Sequence, residues 1–506
     1  MLSVLCPDGP PWGMTLPAPA FDNSFARLPE IFFTRQAPVP VDEPAALRVN
    51  RPLAAQLGID PDWLAGPEGT AMVAGNTVPE GAEPLAAVYA GHQFGGYNPQ
   101  LGDGRAILLG EVLDAQGRRF DIQLKGAGPT PYSRGGDGRS ALGPVLREYV
   151  VSEAMHSLGV PTTRALAAVS TGEAVARERF LPGAVLARVA SSHFRVGTVQ
   201  YFAARQDDEV LRQLVDHVVQ RHFPAARDSD NPVLAMLEGV IARQAALIAQ
   251  WQLLGFIHGV MNTDNMLLCG ETIDYGPCAF MDQFNAGQVY SSIDHGGRYA
   301  YRNQPGIAHW NLSVLAQALL PLLHAEQDEA VALAQQALDT FPEQFLDAHG
   351  AGLARKLGLA ALQEDDTALV EDLFALMEQS ALDFTLTFRQ LADLADESGD
   401  AARISADFPV SGALDDWLAR WRARLQREDS TPAQRQARMY AANPAFIPRN
   451  HQVEAVIQAA YDTGDLAPFH TLVELLATPF EYRPQERRFA APPRPEEVVR
   501  QTFCGT

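Results

Sequence analysis

Lysine is nearly missing from this chain: of its 39 basic residues two, Lys125 and Lys356, are lysines. Arginine is the default cation, so a surviving lysine marks a place where a compact point charge serves better than a planar fork. Lys356, in Ala354-Arg355-Lys356-Leu357, reads as a helix-surface residue that needs no special account. Lys125 does need one, because it closes the largely apolar run Phe120-Asp121-Ile122-Gln123-Leu124. Cysteine is scarce too. Cys6, Cys269, Cys278 and Cys504 lie far apart and form no C-x-x-C pair, which argues against a structural zinc site and against a secreted disulfide framework. No uninterrupted apolar stretch approaches the roughly 20 residues that span a bilayer, and the proline-rich start, Met1 to Pro17, lacks the basic-then-apolar order of a leader. A cytosolic chain without membrane contact is the expectation, with Met14 as an alternative start. Surplus positive charge is also missing. A formal net charge of -22 argues against nonspecific nucleic-acid binding, which rests on clustered cations neutralising phosphates.

Against that acidic background, Leu101 to Gln200 carries 12 basic and 9 acidic residues. An acidic protein that keeps one positive stretch is expected to hold an anionic ligand there. With 506 residues, 47% of them hydrophobic, the chain can bury a large core and divide into two to four lobes. Residues 1–83 read as an N-terminal extension wrapped on that core, with short helical patterns such as Ala45 to Leu57. Residues 84–200 read as β-rich. Glycine-dense Ala90 to Tyr97 and Leu101-Gly102-Asp103-Gly104-Arg105 lead into a hairpin of Ala106 to Val112 and Phe120 to Leu124 around a Gln116-Gly117 turn. Such glycines let backbone N–H groups approach a phosphate, or they only turn the chain. A helix from near Pro144 to Gly159 carries Glu148 and Glu153, and strands surround Ala165 to Thr171 and Ala184 to Ala190. Residues 201–480 read as helical, with an acidic amphipathic stretch from Leu362 to Asp407. Residues 481–506 form an extended tail ending in Cys504-Gly505-Thr506. The fold class expected from this order is α+β.

Transfer of a phosphoryl-type group needs a cation on the nucleotide phosphates, a carboxylate to hold that cation, and oxygen ligands for a metal ion. Lys125 on a strand with Glu148 on the next helix fits the first two, with Glu153 as the fallback. His258-Gly259-Val260-Met261-Asn262-Thr263-Asp264-Asn265 then places His258 and Asn265 at the spacing of the H and N in a kinase catalytic loop, H-R-D-x-x-x-x-N. Asp274-Tyr275-Gly276 resembles the D-F-G metal loop. Asn265 and Asp274 are thus expected to ligate Mg2+ or Mn2+. One position departs from a kinase. Val260 stands where the catalytic aspartate belongs, and valine neither accepts a proton nor orients a hydroxyl. Asp264 is the nearest carboxylate that could act as base. Three readings stay open on these residues alone: nucleotidyl transfer, an ordinary kinase, or a non-catalytic nucleotide-binding scaffold.

Together the segments LGDGR, QLKGAGPTPYSRGGDGR, REY, HGVMNTDN and TIDYGP resemble the selenoprotein O family, pseudokinase-like protein adenylyltransferases also catalogued under the bacterial name YdiU. The resemblance runs from Phe21 to the C-terminus. It implies a protein-kinase-like two-lobed fold, β-rich N-lobe and α-rich C-lobe, that binds ATP inverted and passes AMP to Ser, Thr or Tyr of a protein while pyrophosphate leaves. It implies that Gly102, Gly104, Arg105, Lys125, Asp137 and Gly138 line the nucleotide and that Arg188 and Arg195 bind phosphate. Asp264 is implied as proton acceptor, Asn265 as metal ligand, and Asp274 as ligand to metal and nucleotide. Some members carry selenocysteine near the C-terminus, where this chain has Cys504; a Cys504 to Cys278 disulfide would restrain the metal loop. The acceptor proteins are not readable from the sequence, and self-modification stays open. The acidic net charge favours acceptors with basic or neutral surroundings.

Overall fold

The computed structural model describes residues 18–395 and 412–503. Ten strands occupy the first part of the chain: β1 (Phe33–Arg35), β2 (Ala45–Val49), β3 (Leu85–Ala87), β4 (Gly91–Gln93), β5 (Gly96–Asn98), β6 (Ala106–Leu113), β7 (Arg119–Lys125), β8 (Ser140–Ala141), β9 (Arg164–Ala176) and β10 (Phe180–Ala190). Eight of them form one sheet in the order β1-β3-β6-β7-β10-β9-β2, with β8 paired to β10, while β4 and β5 form a separate hairpin. The pairs of the main sheet are antiparallel. The β6–β7 hairpin closes where Asp114 Oδ1 accepts from the backbone N–H groups of Gln116 and Arg118, both at 2.9 Å. An aspartate that satisfies its own turn in this way fixes the register of both strands.

The helical pattern expected over Ala45 to Leu57 is only half present. Ala45–Val49 is strand β2, laid along β9 from Ala45↔Ser170 to Val49↔Ala167, and the helix α1 (Arg51–Gln56) starts after Asn50, whose side chain caps Leu53 N. Pairing with an existing sheet edge outweighed a weak helical propensity. With α2 (Pro61–Ala65) and α3 (Pro67–Ala74), α1 covers one face of the sheet, where Leu53, Leu64, Met72 and Val73 pack on Ile107, Ile122, Leu124 and Val185. The described residues before 84 therefore supply strands and a face of the core. The opposite face receives α4 (Leu142–Ser157), and α4 is in turn covered by the helices Asn450–Thr463 and Ala467–Leu476 through Val453, Val456, Phe469 and Leu472.

Helices dominate thereafter: α5 (Val196–Ala203), α6 (Asp208–His222), α7 (Pro232–Leu254) and α8 (Gln304–Leu323) lead a helical region that continues to Leu476. Asn231 caps α7 by accepting from Leu234 N, and Gly255 ends it at φ 68, the left-handed stop that glycine adopts without penalty. By length and composition α7 and Tyr301–Leu323 could each cross a membrane. Here Leu237, Ile241 and Ile248 of α7 meet Leu312, Leu315 and Leu319 of α8 inside one apolar cluster, and Glu238 and Arg243 interrupt α7.

Lys356 overturns its surface reading. The last residue of the helix Phe341–Lys356, it is 3% exposed, and its ammonium lies 4.3 Å from the ring centroid of Phe388 and 5.7 Å from that of Phe384. The tail is less extended than expected, since Arg487–Ala490 is helical. Part of the acidic stretch, 396–411, lies outside the described residues, as does the Met1 to Met14 start.

Candidate active site

Side-chain alternation on two neighbouring strands builds one wall of a cleft. Along β7, Ile122 and Leu124 enter the core, so Asp121, Gln123 and Lys125 point the other way. Arg188 of β10 is the cross-strand partner of Gln123 and shares its face. Lys125 Nζ is 2.6 Å from Glu148 Oε2 on α4 and 3.3 Å from Asp274 Oδ1. Arg188 bridges the same two carboxylates through Nε to Glu148 and Nη2 to Asp274. Arg195 joins them from the start of α5, with Nη1 3.2 Å from Asp103 Oδ1 and Nη2 3.8 Å from Asp274 Oδ2, its guanidinium 4.4 Å from the Tyr89 ring. Glu153 is not the partner of Lys125: it binds Arg164, Asn50 and Ala165 N.

Burial and neighbouring charge set the protonation of this network. Burial pushes Glu148 up, but Arg188 and Lys125 outweigh it and hold the carboxyl below its usual range. The same contest, with Arg188, Lys125 and Arg195 against burial, holds Asp274 well below it. Burial, then Arg188, lowers the Lys125 ammonium. The carboxylates stay ionised, and lysine is the softest of the cations. Replacing Glu148 with glutamine leaves Arg188 and Lys125 with Asp274, which Arg195 also shares, and is expected to lower kcat/KM for a nucleotide substrate about 100-fold, or roughly 2.7 kcal/mol. Steady-state kinetics at varied nucleotide checks this; a change under about threefold would mean that the ion pair is dispensable.

The opposite wall comes from the short pair β11 (Phe256–Ile257) and β12 (Ala279–Phe280), whose connection carries both loops singled out in the sequence. His258 ties them together: its Nδ1 accepts from Val260 N at 3.3 Å and its Nε2–H donates to Ile273 O at 2.8 Å, while its ring stacks on Trp251. Asp274 follows with φ 64, a left-handed conformation that aspartate tolerates better than most residues. Asn265 gives its Nδ2–H to Val260 O at 3.0 Å, which leaves its oxygen for a cation. Burial raises the Asp264 carboxyl to about 6. The cleft between the walls, about 760 Å3, is lined by Gly102, Gly104, Arg105, Lys125, Asp137, Gly138, Arg188, Arg195, Val260, Asp264, Asn265 and Asp274. Its lining holds seven cations and five carboxylates, a positive site in an acidic protein. Gly102, at φ 139, lies where a Cβ would stand 2.5 Å from the Tyr132 ring. Asp137 sits at the exposed rim, 2.8 Å from Arg177.

Two amides of the glycine-dense Ala90 to Tyr97 are taken up by the loop of Asp264. His92 N donates to Thr263 Oγ1 at 2.7 Å and Phe94 N to Asn262 Oδ1 at 3.0 Å, so the β4–β5 hairpin straps the loop that carries Asp264. Sequence reasoning also passed over Asp103, Tyr89 and Arg147. Asp103 lay inside a quoted motif and is 2% exposed between Arg195, Gln123 and Ala87 N. Arg147, beside Glu148, donates to Gly276 O and to Asn450 Oδ1, which no local pattern foretells. Cys278 is buried, and Thr502 Oγ1 donates to the neighbouring Pro277 O at 2.5 Å. Cys504, its expected disulfide partner, lies outside the described residues.

A family model described as "Protein adenylyltransferase SelO" matches residues 17–477. "Protein nucleotidyltransferase YdiU" of Rhodopseudomonas palustris (strain BisB5) is 60% identical over 486 residues, covering 96% of this chain and 99% of the relative. The protein of the same name from Bradyrhizobium diazoefficiens is 59% identical over 487 residues, with the same coverage. That from Rhizobium etli (strain CIAT 652) is 56% identical over 487 residues, 96% of this chain and 97% of the relative. On these matches, the chain belongs to the SelO family of protein nucleotidyltransferases.

Proposed function

We propose that this chain transfers AMP from ATP to Ser, Thr or Tyr hydroxyls of proteins, itself included, and releases pyrophosphate, with ATP held in the orientation opposite to that in a kinase. The observation that carries the reading is the pairing of Val260 with Asp264 in one cleft: the position of a kinase's catalytic aspartate is filled by an apolar side chain, while a buried carboxyl with a pKa of about 6 stands four residues on. A base with a pKa just below neutral suits proton removal from a hydroxyl at pH 7. A cleft between an antiparallel sheet and loops of the helical region supports a kinase-like two-lobed fold.

In the proposed reaction the acceptor oxygen attacks the α-phosphorus, its proton passes to Asp264, and the bond from the α-phosphorus to the pyrophosphate oxygen breaks. Lys125, Arg188 and Arg195 take up charge on the phosphates, with arginine's planar donors matched to phosphate oxygens. Asn265 and Asp274 would hold a divalent cation such as Mg2+ or Mn2+, hard oxygen donors for a hard ion. That cation, when bound, supplies further neutralisation of phosphate charge. Their surroundings fit an ion that arrives on the nucleotide: three cations crowd Asp274 until phosphates draw them off, and no group of three His, Cys, Asp or Glu among the described residues could hold a metal.

ATP labelled on the α- or the γ-phosphate, with a protein acceptor and Mg2+ or Mn2+, tests the reading. Label kept on protein from α-labelled ATP alone is the expected result. Label kept from γ-labelled ATP alone would make the chain a kinase that uses Asp264 unconventionally.

A further inference from the structure

Gln93 belongs to the β4–β5 strap and not to the loop of Asp264, yet its Nε2 donates to Asp264 Oδ2 at 3.3 Å. The other carboxylate oxygen, Oδ1, is buried and has no hydrogen-bond partner. It rests against Gly91, where a Cβ would come within 2.5 Å. The carboxylate is therefore wedged, with one oxygen pressed on a bare Cα and the other turned to Gln93, which lines the cleft. A buried carboxylate oxygen without a donor is costly and tends to swing toward any polar group in reach. What prevents the swing is the rigidity of the strap. Besides the bonds from His92 N and Phe94 N to the loop, Ala90 N donates to Gly197 O at 2.9 Å, and Gln200 Nε2 lies 2.8 Å from His92 Nδ1. Anchors on both sides of Gln93 leave its backbone little freedom relative to Asp264.

We propose that Gln93 is the positioning residue for Asp264: it holds Oδ2 toward the incoming acceptor hydroxyl, and the β4–β5 strap exists to keep Gln93 there. The inference rests on the reading of Asp264 as proton acceptor. A neutral amide suits the task. An arginine or lysine at this place would also orient the carboxylate, but its charge would weaken the base, whereas a carboxamide directs a lone pair and leaves basicity nearly intact. The arrangement divides labour in the cleft, with the sheet and α4 gripping phosphates while the strap aims the base.

The test measures AMP transfer to a protein acceptor at pH 7 with ATP varied, for the parent chain and for Gln93→Leu, Gln93→Glu and Asp264→Asn. Gln93→Leu should lower kcat about tenfold, with KM for ATP within about twofold of the parent. Gln93→Glu, nearly the same shape, loses the donor and sets a second carboxylate against Asp264, so its kcat should fall at least as far. It also decides the matter if the leucine variant does not fold. A parent-like kcat in a Gln93 variant that binds ATP normally would overturn the proposal, as would a change in KM for ATP alone. Activity retained by Asp264→Asn would instead overturn the reading of Asp264 on which it stands.

Discussion

Replacing Asp274 with alanine is expected to abolish the proposed AMP transfer, lowering kcat/KM by at least about 1,000-fold, or roughly 4 kcal/mol. One carboxylate serves Lys125, Arg188 and Arg195 in the nucleotide-free cleft and is the proposed ligand of the metal ion, so no neighbour can replace both services. Stability should fall as well. Arg188 and Arg195 are 2% and 3% exposed; they keep Glu148 and Asp103 but each loses one of its two carboxylates, a cost below the about 3–5 kcal/mol of a buried charge left wholly unpaired. Asp274 itself is 28% exposed, which lets water soften that cost to about half. The cations left behind become a better anion site. Thermal unfolding followed against phosphate concentration should therefore show a steeper rise for Asp274→Ala than for the parent. Full activity in the variant would remove Asp274 from the mechanism. A phosphate response no steeper than the parent's would mean that the three cations find other partners.

Lys356→Met is expected to stabilise the chain, and by more at low pH than at high. Burial lowers the Lys356 pKa from 10.5 to about 7. The unfolded chain therefore binds a proton between about pH 7 and 10 that the folded chain lacks, and the parent gains stability as pH rises through that window. Below pH 7 the whole penalty applies. A fall of that size corresponds to roughly 5 kcal/mol, and attraction to the Phe388 face returns about 1–2 kcal/mol. Methionine keeps the volume and carries no charge. Denaturant midpoints should then favour the variant by about 3 kcal/mol at pH 6 and by under about 1 kcal/mol at pH 10. A difference independent of pH would show that Lys356 is never desolvated.

Both lysines broke the sequence's arginine habit for a physical reason, but the sequence exposes only one of the reasons. Lys125 ends an alternating strand, and alternation tells which face it takes; a carboxylate-bearing helix follows, so its partner could be named. Lys356 ends a helix whose neighbours in the sequence are mixed, and what buries it, Phe384 and Phe388, comes from a later helix. The same distinction holds across the cleft. His258, Asn265 and Asp274 sit at fixed spacings in one connection, and spacing is legible. Gln93 and Asp264 are 171 residues apart, and nothing local says that a glycine-rich hairpin will close on a loop from the helical region. Strand β2 failed for a related reason, since edge pairing is decided by a partner far along the chain.

Arg147 and Glu148 are adjacent on α4 but turn to different tasks, Glu148 to Lys125 and Arg147 to Gly276 and to Asn450, 303 residues further along. Contacts of such separation close late in folding, because the loop entropy must be overcome before they contribute. As the polypeptide leaves the ribosome, its sheet and α4 can form while the helices that brace α4 from behind are still unmade. An N-terminal half would thus have a strand lysine paired to a helix glutamate and yet lack a held Asp274 loop, which makes nucleotide transfer a property of the nearly finished chain.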